Sequence, residues 1–440
     1  MFSSNTSQVS EDRLYVEDVF STYLYTGTGS AQTITNGIDL STKGGLVWTK
    51  ARGSAFSHGL VDTARGATNT LVSNNTDPST VYNTVTAFNN NGFTVGTSAI
   101  ANGTGSTTMA SWTFREAPKF FDVQTWTGNG TTQNIAHSLG TAPGVIIVKC
   151  TSQGYNWRVY HRSLGADGML ALNTTDANTT GSFWWNNTSP TATQFTVGTD
   201  PATNENAQTY VAYLFAHDTT SDGIIQCGSY TGNGSATGPT VTLGWEPQWL
   251  LVKDATSAWD WRVVDNMRGM PVGSGAASLF PNLSNAEFTT STVAFSPTAT
   301  GFEVAGSASQ INASGDTYIY IAIRRGPMRT PTTGTSVFAP VSQTPSGVTT
   351  ITTGFPVDMT WLAQRSKSSV NSTFDVDRLR GTSETLTRLL RTNTADAELV
   401  ESTVGFGYDR MSSITDNYMA TNWGVSTPVI YLNFRRAPSF

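Results

Sequence analysis

Charge is scarce in this chain. Charged side chains make up 13% of its 440 residues, roughly half the ~25% of an ordinary globular domain. The balance is acidic, 25 Lys and Arg against 31 Asp and Glu, so the basic footprint of a nucleic-acid-binding protein is missing. Cysteine is nearly absent. Cys150 and Cys227 are too few for a disulfide-stapled scaffold, and both border apolar runs that suit small core residues. No stretch approaches the ~18 continuous apolar residues of a membrane helix, so no membrane insertion is expected. Met1-Phe2-Ser3-Ser4-Asn5 lacks the basic start and apolar core of a signal peptide, which predicts synthesis in a cytoplasm.

Catalytic signatures are equally thin. His58, His137, His161 and His217 stand apart, in none of the spacings that ligate a metal. No Gly-x-Ser-x-Gly elbow and no phosphate loop occurs. Asp254, Asp260 and Asp265 gather around Trp259 and Trp261, the one carboxylate group to weigh for glycoside hydrolysis, but the group is not repeated along the chain. The expectation is a protein without catalytic residues, metal or cofactor, and no enzyme.

Thr, Ser and Asn fill about a third of the chain, with 41 Gly and 11% aromatics. Such a composition excludes a coiled coil, and its ring surface argues against disorder. An opening turn recurs as Tyr25-Thr26-Gly27-Thr28-Gly29, Trp126-Thr127-Gly128-Asn129-Gly130 and Tyr230-Thr231-Gly232-Asn233-Gly234. Some two dozen residues after each opening, an apolar run ends in Lys50, Lys149 or Lys253; Met359–Gln364 is a weaker fourth version. A Leu-x-x-Asn element follows at Leu71/Asn74, Leu170/Asn173, Leu279/Asn282 and Leu390/Asn393, and each unit closes on an aromatic strand. Landmarks in constant order mark a repeat architecture.

Short runs rich in Val, Ile, Thr and aromatics, punctuated by Gly and Asn, predict an all-β chain of tandem β-sandwich-like units of about 100 residues. The expected division is a leader and attachment segment over 1–20, units over 21–120, 121–222 and 223–330, and a divergent unit over 331–440. A propeller is the alternative, with each unit supplying two blades of about 45 residues.

Two sets of residues carry the candidate sites. Asp-x-x-Arg-Gly occurs at Asp62/Arg65, Asp265/Arg268 and Asp377/Arg380; its placement at one point of three units predicts a structural brace across a turn. Trp184 and Trp185, without counterparts in the other units, and Tyr155 beside a Gly/Asn/Ser-rich loop, are the candidate glycan contacts, since exposed rings flanked by amides suit sugar stacking. Trp157 and Trp261, equivalent across repeats, read as cores of their own units.

Phe20–Gly27, Phe114-Arg115-Glu116-Ala117-Pro118-Lys119-Phe120-Phe121-Asp122-Val123 and Gly223–Gly234 resemble a tail-fibre-like repeat family of tailed bacteriophages, of the marine podovirus and cyanophage type. The resemblance covers roughly 20–327 and weakens beyond. It implies a structural component of the virion, made in the host cytoplasm: a tail fibre or tail-associated protein contributing to host-surface attachment, with other virion proteins, further copies of itself and a host-surface glycan as partners. A scaffold of the tail or capsid without receptor binding is the alternative, and a polysaccharide depolymerase a more distant one.

Overall fold

The computed structural model describes residues 14–328, apart from 273–274 and 291, and the segments 330–344, 349–353, 355, 357–364, 373–377, 387–392, 397, 399–401, 406–410, 413–416 and 428–435. Arg380, Asn393 and the start of the leader lie outside the described residues.

The protein is all-β, built of paired antiparallel sheets. In the first, the opening strand Phe20–Thr26 pairs with the closing strand Thr108–Arg115, which pairs in turn with the lysine-ended Gly45–Ala51; Gly59–Asp62, Asn69–Val72 and Thr80–Val81 follow. The same strand order recurs from Phe121–Thr127 and from Phe338–Gln343, and its first four strands from Ile225–Thr231. Opposite each large sheet lies a smaller one; in the first unit it comprises Gln32–Thr35, Gly92–Val95 and Val85–Asn89. Ile34, Val47, Val61, Phe93 and Val95 fill the space between the two, as period-2 alternation requires.

The lysine-ended strands Gly45–Ala51 and Pro143–Cys150 are buried along their whole length on both faces, and Pro247–Asp254 at every residue but Gln248. The second face of each large sheet is buried by the other units, not by its own small sheet. Leu46, Trp48, Leu60 and Phe114 share one apolar cluster with Val145, Ile147, Val159 and Phe215 and with Trp249, Leu251, Val263 and Ile323. Phe114 stands at its middle, with ring centroids 5.5 Å from Phe121, 5.4 Å from Phe215 and 5.7 Å from Trp249. Three large sheets thus back onto a common aromatic core, and the chain closes the arrangement where Val16 donates its backbone N–H to the Pro327 carbonyl at 3.0 Å.

The described part of the leader belongs to this core. Val16 and Val19, on the short helix Val16–Val19, are 2% and 0% exposed, and Phe20 opens the first strand at 3%. Residues 16–20 are therefore a packed element and no free attachment arm, because their apolar side chains complete the shared cluster.

Candidate functional site

The chemistry-bearing residues converge on the three seams between these units, and each seam repeats one set of contacts. Lys50, Lys149 and Lys253 sit at equivalent register positions, 0–1% exposed. The Lys50 Nζ donates to the carbonyls of Ala51 and, across the seam, Ser284 at 2.7 and 3.1 Å. Lys149 donates to Cys150, Tyr155 and, across its seam, Thr76. Lys253 donates to Asp254 and, across the third seam, Thr175. Each lysine that ends an apolar run is thus a buried ammonium capped by carbonyls. Burial pulls each amine down to about 8, since desolvation disfavours the charged form.

Eight residues beyond each lysine stands His58, Trp157 or Trp261. The backbone N–H groups of these residues donate to Asn74, Asn173 and Asn282 of the Leu-x-x-Asn element. The indole of Trp157 reaches across to the Val72 carbonyl at 3.1 Å, and that of Trp261 to Ala171 at 2.8 Å. Trp157 and Trp261 are therefore seam residues rather than cores of their own units. His58 takes the same place in the seam that Lys50 crosses: its Nδ1 accepts from the Trp48 indole at 2.9 Å, and its ring lies near the Phe280 carbonyl without regular hydrogen-bond geometry at Nε2. Backbone bonds from Ser79 to Thr151, Asn178 to Ala255 and Glu287 to Arg52 complete the seams.

The Asp-x-x-Arg-Gly motif braces its turn as predicted and also ties units together. Arg65 Nε donates to Asp62 Oδ2 at 2.7 Å, while Asp62 also accepts from the Tyr213 hydroxyl of the next unit at 2.8 Å. Arg268 Nε donates to Asp265 at 2.7 Å, and Asp265 accepts from the Trp112 indole at 3.0 Å. Arg268 reaches Glu287 as well, which Arg52 of the first unit holds at 2.9 Å. In the second unit His161 replaces the aspartate. Its Nδ1 accepts from Ser163 N–H, so Nε2 carries the proton and donates to the Tyr320 carbonyl at 3.2 Å. Burial holds this imidazole down at about 4 and His58 well below its usual range. Asp377 occupies the corresponding strand end in the last unit, with its partner Arg380 outside the described residues.

The candidate glycan contacts do not form a site. Trp184 and Trp185 are 5% and 1% exposed; Trp185 donates to the Gly168 carbonyl at 3.0 Å and packs on Tyr160. Their loop turns them inward and exposes Phe183 instead, its ring tilted against Trp184 with centroids 4.3 Å apart. Tyr155 is half-buried, its hydroxyl donating to Glu205 at 2.9 Å. Of the grouped carboxylates, Asp254 is buried and accepts from the Thr256 and Ser257 N–H groups, Asp265 is held by Arg268, and Asp260 accepts from Asn282.

Sequence reasoning missed one recurrent residue. Asn102, Asn204 and Asn312, each ending a one-turn helix, hold the opening turn of their unit from both sides. Each Oδ1 accepts from Thr28, Asn129 or Asn233 N–H, and each Nδ2 donates to carbonyls of the turn and of Gly96, Gly198 or Gly306. The approach is so close that a Cβ at Gly27, Gly128 or Gly232 would fall on a backbone oxygen of Gly103, Glu205 or Ala313. These asparagines precede the closing strands Thr108–Arg115, Thr209–Ala216 and Thr317–Arg324 by six, five and five residues, a spacing that does not single them out in an asparagine-rich chain.

One cleft opens beside the seam that Lys149 crosses, about 560 Å³ in volume, with Arg65, Ser79, Thr125, Trp126, Thr209 and Tyr210 among its walls. The Trp126 indole N–H, in a ring 9% exposed, has no hydrogen-bond partner.

No curated protein matches the chain. A family model matches residues 16–327, the stretch whose two ends meet in the Val16–Pro327 backbone bond, and by that match the chain belongs to the family described as Domain of unknown function (DUF7483).

Proposed function

We propose that the protein is a structural component of a bacteriophage particle, a tail-associated part whose three-seamed body serves as a rigid architectural module. The observation that carries this reading is the internal commitment of its polar chemistry. The seam lysines, histidines and Asp/Arg pairs are spent on holding units to one another. Catalytic groups are generally kept poised in a cleft with a reacting atom in reach, and these are not. Inward-facing Trp184 and Trp185 favour the scaffold over the receptor-binding form. Quantitative mass spectrometry of purified particles is the test: a fixed, integral copy number per particle is expected, and recovery only in the soluble lysate would refute the proposal.

Attachment to a host glycan keeps one supporting observation, the cleft walled by Thr125, Thr127, Thr151 and Thr209, whose hydroxyls suit a sugar. In that reading, the double variant Thr125→Val/Thr127→Val lowers adsorption to host cells without changing particle assembly. Equal adsorption of the two particles leaves the scaffold alone.

A further inference from the structure

The last unit repeats the strand order and register of the others, yet the face they bury in one another is open. Phe338 pairs with Phe434, and Phe434 with Met359, just as Phe20 pairs with Phe114 and Phe114 with Leu46. The Phe338–Phe434 ring separation is 5.1 Å, equal to that of Phe20–Phe114 and of Phe121–Phe215. By the same register Trp361 stands where Trp48, Ile147 and Leu251 stand. Those three are 1–2% exposed, while Trp361 is 44% exposed. Leu390 corresponds to Leu71, Leu170 and Leu279, which are 0–1% exposed; Leu390 is 37% exposed. Along the closing strand Ile430, Leu432 and Phe434 are half-buried, whereas their counterparts from Ala110 to Phe114, Val211 to Phe215 and Ile319 to Ile323 are buried.

We propose that this face is an interface with two further copies of the chain, so that three last units assemble into the arrangement that the first three units form within one chain. The occupant follows from the fold itself: among the described residues each equivalent sheet face is buried against two equivalent units, and those three units are occupied by one another. A heterologous contact between like units closes into a ring when its rotation is one third of a turn, the closure already realised by the seams of residues 16–327. Two differences set this seam apart. Ala363 replaces the clasping lysine, and Asp375 stands in place of Leu60, Val159 and Val263. Both make the face less binding than the internal seams, as suits a surface that meets water before assembly.

Light scattering on the chromatographed full chain at micromolar concentration tests this, independently of any place in a particle. The expected mass is three times the 47.0 kDa chain, falling to one chain in the variant Trp361→Glu/Leu390→Glu with the main thermal transition unchanged. Trp361→Ala, a change that the folded unit tolerates because the ring is exposed, should weaken association at least tenfold on dilution. A mass of one or two chains, any assembly not divisible by three, or a trimer indifferent to both variants overturns the proposal.

Discussion

Arg268 shows what a side chain does in a protein with so little charge. It is 0% exposed and shared between Asp265 and Glu287, with the Ala277 and Val263 carbonyls taking its remaining donors. Replacing it by alanine leaves Asp265 buried without its counter-ion and Glu287 with Arg52 alone, so Arg268→Ala should lose about 3–5 kcal/mol in denaturant unfolding. Arg65→Ala removes the partner of a single carboxylate that keeps the Tyr213 hydroxyl and should cost less. Equal losses would contradict the shared-arginine account. The seam histidines add a pH dependence. His161 is held at about 4 and His58 is lowered too, so between pH 6.5 and 4 the unfolded chain binds more protons than the folded one. Stability therefore falls on acidification through that window, by up to roughly 3 kcal/mol for His161. His161→Gln, which stays neutral, should flatten the slope; a profile as steep as the parent's would exclude this origin.

At the scale of elements, the opening turn and the short helix behave as one part. Asn204, itself 0% exposed, serves three acceptor sites and one donor site, and unsatisfied buried polar groups cost about 1–3 kcal/mol each. Asn204→Ala should lower stability by several kcal/mol, and Asn204→Asp, isosteric but unable to donate, should rescue little of it. Thermal melts of the pair distinguish lost hydrogen bonds from lost volume: comparable stability of Asn204→Asp and the parent would mean that volume matters. The spacing of the Thr-Gly-Asn-Gly turns was legible in the sequence. Their partner was not, because a lone asparagine in a Thr/Asn-rich chain carries no periodic signal.

For the whole molecule, three units sharing one apolar core should unfold together. Residues 16–327 have no unit whose outer sheet face is covered without the others, so calorimetry should show one transition for this body. Separate transitions for the three units would refute the shared core. Removing residues 1–20 takes Val16, Val19 and Phe20 out of that core, at about 1.5–3 kcal/mol for each fully buried side chain. A marked drop in melting temperature is expected. An unchanged melt would mean that the leader is dispensable for the stability of this body.

The sequence by itself determined the all-β class, the repeated strands, the equivalence of Lys50, Lys149 and Lys253, and the bracing of Asp62 by Arg65 and Asp265 by Arg268. These are readable because a turn or strand is set by residues close along the chain, and repetition multiplies a weak local signal. Which face of a strand meets which neighbour was decided only in three dimensions. A lysine ending an apolar run looks like a solvated edge until Ser284, Thr76 and Thr175 carbonyls from another unit arrive to cap it. Trp184 and Trp185 look exposed beside Asn186 and Asn187, yet those two asparagines take up positive φ, 51° and 49°, and the loop folds the rings inward. Burial is a property of the packed surface, and a side chain's neighbours across a seam lie some 80 to 230 residues away in the chain.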